Sequence, residues 1–191
     1  GSFTGTIYLP MEGGESSFEA LSDPARVEAY FAREYPDALE LVPELGREFL
    51  RHPVGPLGTM RCSPWHLEDR ALLVGDAAHA IVPFFGQGLN CGLEDCAVLD
   101  ELVDEHGWAE RGAIFAAFDA RRKPNGDAIA EMALENFVEM RDRVGDERFL
   151  LRKQIERRIE QHMSQIYRSR YATVVYSRVP YRDARDAGRI Q

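Results

Sequence analysis

The chain has 191 residues, enough to bury a sizeable core in one domain or slightly more. Its 45% hydrophobic and 29% charged residues are the balance of an ordinary globular protein, and a net charge of −9 argues against a nucleic-acid partner, because a phosphate-binding surface needs excess Lys and Arg. No apolar run of about 18 residues is present, and residues 1–20 lack the basic start and continuous apolar core of a signal peptide, so a cytoplasmic location with no membrane contact is expected.

In chain order, Phe3–Leu9 alternates, with Phe3, Gly5, Ile7 and Leu9 on one face and Thr4, Thr6 and Tyr8 on the other, which predicts a strand. Glu12–Ser17 reads as a polar turn. Ser22, Asp23 and Pro24 start a helix whose apolar stripe is Val27, Tyr30, Phe31 and Tyr35, and Pro36 ends it. A short helix is expected over Pro43–Leu50. Pro53, Gly55, Pro56 and Gly58 then punctuate the chain before a strand over Thr59–His66. Leu72, Leu73 and Val74 form an apolar run closed by Gly75, which predicts a strand buried on both faces with Asp76 at its C-terminal edge. From Leu89 to Val103 the residues Leu89, Leu93, Cys96, Ala97 and Leu99 follow helical spacing. Beyond Asp104 the pattern is helical throughout. One helix covers Ile114–Arg122 and is ended or bent at Pro124. Ile129, Met132, Ala133, Asn136, Phe137 and Met140 form a further stripe. A last helix runs over about Glu147–Arg170, with Leu151, Ile155, Ile159, Met163 and Ile166 facing the core.

Glu94, Asp95, Asp100, Glu101, Asp104 and Glu105 read as a solvated acidic helix face, and Arg121, Arg122 and Lys123 as surface charge near a helix end. The three cysteines leave one unpaired in any disulfide scheme, so reduced thiols are expected. Cys91 and Cys96, five apart on a helix, point to different faces and make poor metal partners; no metal site is expected.

The chemistry concentrates in Gly75–Asn90, GDAAHAIVPFFGQGLN. A carboxylate at a strand end, a Gly-rich loop and a helix N-terminus together suit a polar, anion-prone ligand. Gly86 and Gly88 carry no side chain, so their backbone N–H groups can approach a flat ring closely. Asp76 either caps the turn or accepts hydrogen bonds from ligand hydroxyls. His79 is either a satisfied turn residue or a base, and no acid–base or other catalytic role is assigned to any residue. Asn136 places an amide on an otherwise apolar stripe, and leaving such a group buried and unpaired costs roughly 1–3 kcal/mol. Its partner is either a neighbouring helix or a ligand.

The run GDAAH followed by P-x-x-G-Q-G-x-N resembles the second FAD-binding motif of the single-component (class A) flavoprotein aromatic hydroxylases. HAIVPFFGQGLNCGLEDC and NFVEMR (Asn136–Arg141) resemble the kynurenine-hydroxylating branch of that family, and the similarity extends from SFTGTIYLP to YSRVPYRDA. The resemblance implies an α+β or α/β class, the C-terminal part of a p-hydroxybenzoate-hydroxylase-like fold. Residues 1–66 would be strands and helices of the substrate domain, 67–106 the strand–loop–helix that contacts FAD, and 107–191 a helical C-terminal region. It implies FAD contacts from Gly75, Asp76, Pro83, Gly86, Gln87, Gly88, Leu89 and Asn90, with Asp76 on the ribityl chain. His79 would pack and hydrogen-bond the backbone near the flavin. Pro83, Phe84 and Phe85 would shape the side where oxygen and the substrate ring meet, and Asn136 and Tyr171 would contact the amino-acid end of L-kynurenine. The implied reaction uses FAD, NADPH and O2 to make 3-hydroxykynurenine, a step of tryptophan catabolism.

The family opens with a βαβ unit carrying GxGxxG, which holds the ADP part of FAD. No GxGxxG occurs in these residues. The expectation is therefore a C-terminal portion whose partner is the missing N-terminal portion, inactive by itself. The polar end Arg182–Gln191 implies no membrane anchor. Two alternatives stay open: a related hydroxylase or epoxidase acting on another substrate, and a non-catalytic module that uses the flavin fold as scaffold.

Overall fold

Long stretches of helix-forming sequence, and few β-branched runs, make the described residues mostly helical with a small sheet. The structure, a computed structural model, describes residues 4–143 and 145–188. It divides into two compact units, Gly1–Leu57 and Gly58–Gln191.

In the first unit, α1 (Pro24–Glu34) starts where Asp23 accepts the Arg26 N–H and Pro24 occupies the first turn. As expected, α1 ends before Pro36, with Tyr35 at its C-terminal cap; the chain then resumes as α2 (Pro36–Leu41), with the proline in the position where its missing N–H costs nothing. The helix expected over Pro43–Leu50 is α3 (Leu45–Arg51). Leu21, Val27, Tyr30 and Leu45 form the core of this unit, with Ile7 and Leu9 packed against it. The predicted strand Phe3–Leu9 is not one: Thr4–Leu9 forms no strand, and Phe3 lies outside the described residues. Alternation alone fixes which side chains face inward, but a strand also needs a neighbour to complete its hydrogen bonds.

The second unit carries an antiparallel pair, β1 (His66–Leu67) and β2 (Ala71–Leu72), in the register His66 to Leu72 and Leu67 to Ala71. The strand expected over Thr59–His66 thus reduces to its last residue. The strand over Leu72–Val74 reduces to Leu72, and it is not buried on both faces, since Leu73 is 38% exposed. After β2 come a single turn, α4 (Asp76–His79), a 3₁₀ turn over Pro83–Phe85, α5 (Gly88–His106) and α6 (Arg111–Asp142).

Pro124 neither ends nor breaks α6, which runs through it for 32 residues. Packing of α6 against α4, α5 and α9 (Tyr181–Gly188) outweighs the one lost backbone bond. The core has two parts. Trp65, Leu102, Ile114 and Phe118 fill one, and Val82, Phe85, Cys91, Ile129, Met132 and Tyr181 fill the other.

Two apolar stripes lie elsewhere than expected. On α5 the buried residues are Cys91, Asp95 and Leu102, while Leu89 and Leu93 are exposed. The last helix divides into α7 (Glu147–His162) and α8 (Arg170–Tyr176). Leu151, Ile155, Ile159, Met163 and Ile166 do not face a core; all are exposed. Their spacing is helical, as read, but an amphipathic face is buried only where another element covers it. No helix among the described residues is long and apolar enough to cross a membrane. The chain end at 189–191, part of the polar tail, lies outside the described residues.

Candidate functional site

The motif folds as two glycine pivots flanking a short helical turn. Gly75 adopts φ 61°, ψ −139°, and Gly86 adopts φ 68°, ψ 23°; both are conformations that a side chain disfavours. A Cβ at either glycine would meet nothing within 4 Å, so both backbones lie against open space. Asp76, directly after the first pivot, is exposed at the first position of α4. At the second pivot the chain enters α5 through Gln87, whose side chain does not cap the helix. The first intrahelical bond of this end is Cys91 N–H to the Gln87 carbonyl, so the N–H groups before it lie outside the helical ladder. A 19-residue helix also carries partial positive charge at this end.

The polar side chains of the loop hold the loop itself. Gln87 is 4% exposed, and its Oε1 accepts from Asn90 Nδ2 at 3.0 Å and from the Tyr181 hydroxyl at 3.4 Å. Burial, then the nearby Glu94 and Cys91, push the Tyr181 phenol well above its ordinary range, so it remains a donor. Pro83, Gly86, Leu89 and Asn90 are exposed, Gly88 is half-buried, and Phe85 is buried.

The distant residues selected by sequence meet at the Pro83–Phe85 turn. Asn136 on α6 donates from Nδ2 to the Phe84 carbonyl at 2.6 Å. Phe84 packs on Phe137 with ring centroids 4.6 Å apart, and Phe85 packs on Tyr171 of α8 at 5.6 Å. Tyr171 remains 54% exposed and Asn136 half-buried. Asn136 therefore already has a structural partner in the Phe84 carbonyl.

A buried ionic cluster lies beneath the motif, and sequence reasoning missed it. Asp95 is not part of a solvated face: it is 0% exposed. Arg122 is not surface charge either, being 5% exposed. Asp95 Oδ2 accepts from the Gly75 N–H at 2.9 Å and lies 2.6 Å from His79 Nε2, while Oδ1 accepts from Arg122 Nε at 2.6 Å. Arg122 also donates to Glu94 at 2.9 Å and to the Cys91 carbonyl at 3.1 Å. His79 thus bonds a carboxylate rather than the backbone, and its ring lies 5.2 Å from that of Trp65. Burial disfavours the imidazolium, but the hydrogen bonds to Asp95 and Cys91 outweigh it and lift His79 to about 10. Burial likewise opposes the Asp95 carboxylate, and the donors His79, Arg122 and Gly75 hold it below the usual carboxylate range. Spacing carried the missing information. Asp95 falls four residues after Cys91 and seven before Leu102, and Phe118, Arg122, Gly126, Ile129 and Ala133 form one buried line along α6. Charge type had suggested the opposite side.

Comparison with known proteins adds two findings. A family model described as an FAD binding domain matches residues 43–133. Proteins named kynurenine 3-monooxygenase are similar along the whole chain. That of Myxococcus xanthus is 50% identical over 98% of this chain and 40% of its own length. That of Flavobacterium johnsoniae is 45% identical over 100% and 42%, and that of Stenotrophomonas maltophilia 47% over 96% and 40%. The chain spans about two fifths of the length of the curated relatives it matches.

Proposed function

For a chain that resembles kynurenine 3-monooxygenases over its whole length, we propose that the protein carrying it is an FAD- and NADPH-dependent monooxygenase that converts L-kynurenine and O2 to 3-hydroxykynurenine. In this reading the chain supplies the flavin-ring and ribityl half of the site in a p-hydroxybenzoate-hydroxylase-like fold, and the remainder of the protein supplies the ADP-binding unit. Residues 1–66 belong to the substrate domain, 67–106 to the flavin-contacting segment and 107–191 to the helical region.

The residues present fit the cofactor. Gly75 and Gly86 leave open backbone on one side of the loop, Asp76 is an exposed carboxylate acceptor, and the α5 N-terminus is free of a side-chain cap. Bound FAD would supply the redox chemistry, passing two electrons from NADPH to O2 so that one oxygen atom enters the substrate ring and the other leaves as water. Asp76 accepts from ribityl hydroxyls. Backbone N–H groups of Gly88, Leu89 and Asn90, with the helix dipole, favour negative charge on the reduced ring. Pro83 and Gly86 would contact the ring, and Gln87 holds the loop through Asn90 and Tyr181. Phe84 and Phe85 exclude water beside the ring carbon to be hydroxylated.

The observation that carries the substrate assignment is the convergence of Asn136 and Tyr171 on the Pro83–Phe85 turn, from helices 52 residues and more along the chain. An amide and a phenol match the α-amino and carboxylate groups of kynurenine, and a hydrocarbon substrate has no use for them. Asn136→Ala in the full-length protein is expected to raise KM for kynurenine about tenfold or more, the scale of one hydrogen bond to a charged group, while bound FAD is unchanged. Unchanged kinetics refute the substrate role and favour a hydroxylase for another aromatic compound.

A further inference from the structure

Asp95 touches more of the motif's framework than any residue so far given a role. One oxygen grips the Gly75 N–H at 2.9 Å and pairs with His79 at 2.6 Å; the other receives Arg122 at 2.6 Å. One carboxylate on α5 thereby ties the turn before α4 to α6. Gly75 immediately precedes Asp76 at a φ of 61°; its carbonyl is held by the Ala78 and His79 N–H groups at 2.9 and 3.0 Å, and its own N–H is held by Asp95.

We propose that Asp95 is a positioning residue for the cofactor: by holding the Gly75 N–H, it fixes the turn that presents Asp76 to the flavin's hydroxyl chain. This rests on the flavin reading above. A buried ion pair contributes little net stability, because desolvation offsets most of the attraction, and an apolar trio of similar volume packs as well. An apolar residue at 95 could not, however, satisfy the buried side of the Gly75 turn. The N–H would lose its acceptor, and the turn before Asp76 would be held only from its carbonyl side, by the Ala78 and His79 N–H groups. Ligand-binding carboxylates tolerate displacements of only about 0.5 Å before affinity falls. Arg122 sets the carboxylate's own orientation, since it is anchored in turn to the Cys91 carbonyl at 3.1 Å and to Glu94 at 2.9 Å.

His79, Cys91 and Asp95 offer ligand atoms within 4.8 Å of one another, the spacing of a cation site. The guanidinium of Arg122 lies 3.4 Å from Cys91 Sγ and already neutralises Asp95, so the positive charge the site calls for is supplied by the chain itself.

The test uses the full-length flavoprotein and measures FAD dissociation, apoprotein melting and kynurenine KM at saturating FAD. Asp95→Asn removes the charge between two buried cations and can fail to fold. Asp95→Glu keeps the charge but carries the acceptor one methylene past the Gly75 N–H. For Asp95→Glu, and for Asp95→Asn where it folds, FAD Kd is expected to rise tenfold or more, with KM within twofold of the wild type. The rise should match that of Asp76→Ala, and combining Asp95→Glu with Asp76→Ala should add less than a further threefold, because both act through one contact. FAD affinity within twofold of the wild type overturns the inference. So does a loss of affinity that only follows a lower apoprotein melting point and is fully additive with Asp76→Ala. A wild-type protein that binds no FAD refutes the flavin reading itself, which separates the two failures.

Discussion

Gly126 sits where α6 crosses the ionic cluster, and replacing it with alanine sets two known effects against each other. Alanine is the better helix former by about 0.8–1.0 kcal/mol. Its Cβ would stand 2.8 Å from Trp65 Cη2, 3.2 Å from Trp65 Cζ2 and 3.3 Å from His79 Cδ2. The indole cannot retreat easily. Trp65 is 1% exposed, its Nε1 donates to the Cys62 carbonyl at 3.1 Å, and its backbone N–H donates to Asp119 at 3.2 Å. Overpacking of this kind costs about 1–3 kcal/mol, and two anchored rings place it in the upper half of that range. The net effect is a destabilisation of about 1–2 kcal/mol, or an apparent melting point lowered by about 2–8 °C. Gly112, in the same helix, provides the control, because its Cβ would lie 3.7 Å from Asp69 Cβ, an ordinary contact. Gly112→Ala should therefore leave stability unchanged or raise it by up to about 1 kcal/mol. Thermal melts of both variants beside the wild type decide the matter. A Gly126→Ala protein as stable as Gly112→Ala would refute the packing of Trp65 and His79 against α6.

Two further outcomes are expected. Asp76→Ala should lower flavin occupancy of the purified full-length protein by at least half, read from the absorbance ratio of flavin to protein; full occupancy would remove Asp76 from the cofactor site. The buried His79–Asp95 pair should make stability pH-dependent at both ends. His79 is raised from 6.5 to about 10, so its contribution is complete below pH 6.5 and is lost as pH rises toward 10. Asp95 is lowered, so its contribution is present above about pH 4 and is lost as pH falls through its depressed value. Melting points taken between pH 6 and 10.5 should fall more steeply for the wild type than for His79→Gln, and parallel curves would contradict the raised imidazole.

How much of this was legible in the sequence depended on whether a feature is local. Within Gly75–Asn90 the helix start was legible because it is determined by the segment itself, whereas the positive φ of Gly75 and Gly86 was not part of that reading. The helices α1, α3 and α6 followed from spacing and caps, although α6 ran through Pro124 because tertiary packing covers both halves. The strands failed for a different reason. Thr4–Leu9 and Val74 have the right composition, but among the described residues only His66–Leu67 and Ala71–Leu72 find each other. The apolar faces of Leu89 and Leu93 on α5, and of Leu151 and Ile155 on α7, were assigned to a core that the described residues do not provide. Asp95 and Arg122 were lost through residue type. Charged side chains are rarely buried, so the prior for a surface position overrode the helical spacing that put each one on the inward line. They are buried because they are buried together, which no single-residue prior can register.

The central claim is that Asp76 and the Pro83–Asn90 loop form one face of a flavin site, with Asn136 and Tyr171 beside it for an amino-acid substrate. It is tested most directly by incubating the full-length protein, loaded with FAD, with NADPH, O2 and L-kynurenine. The account predicts kynurenine-dependent NADPH oxidation coupled to formation of 3-hydroxykynurenine, identified by mass and retention time, at close to one product per NADPH. A flavin-loaded protein that oxidises NADPH no faster with kynurenine than without it, and forms no hydroxylated product, would contradict the account.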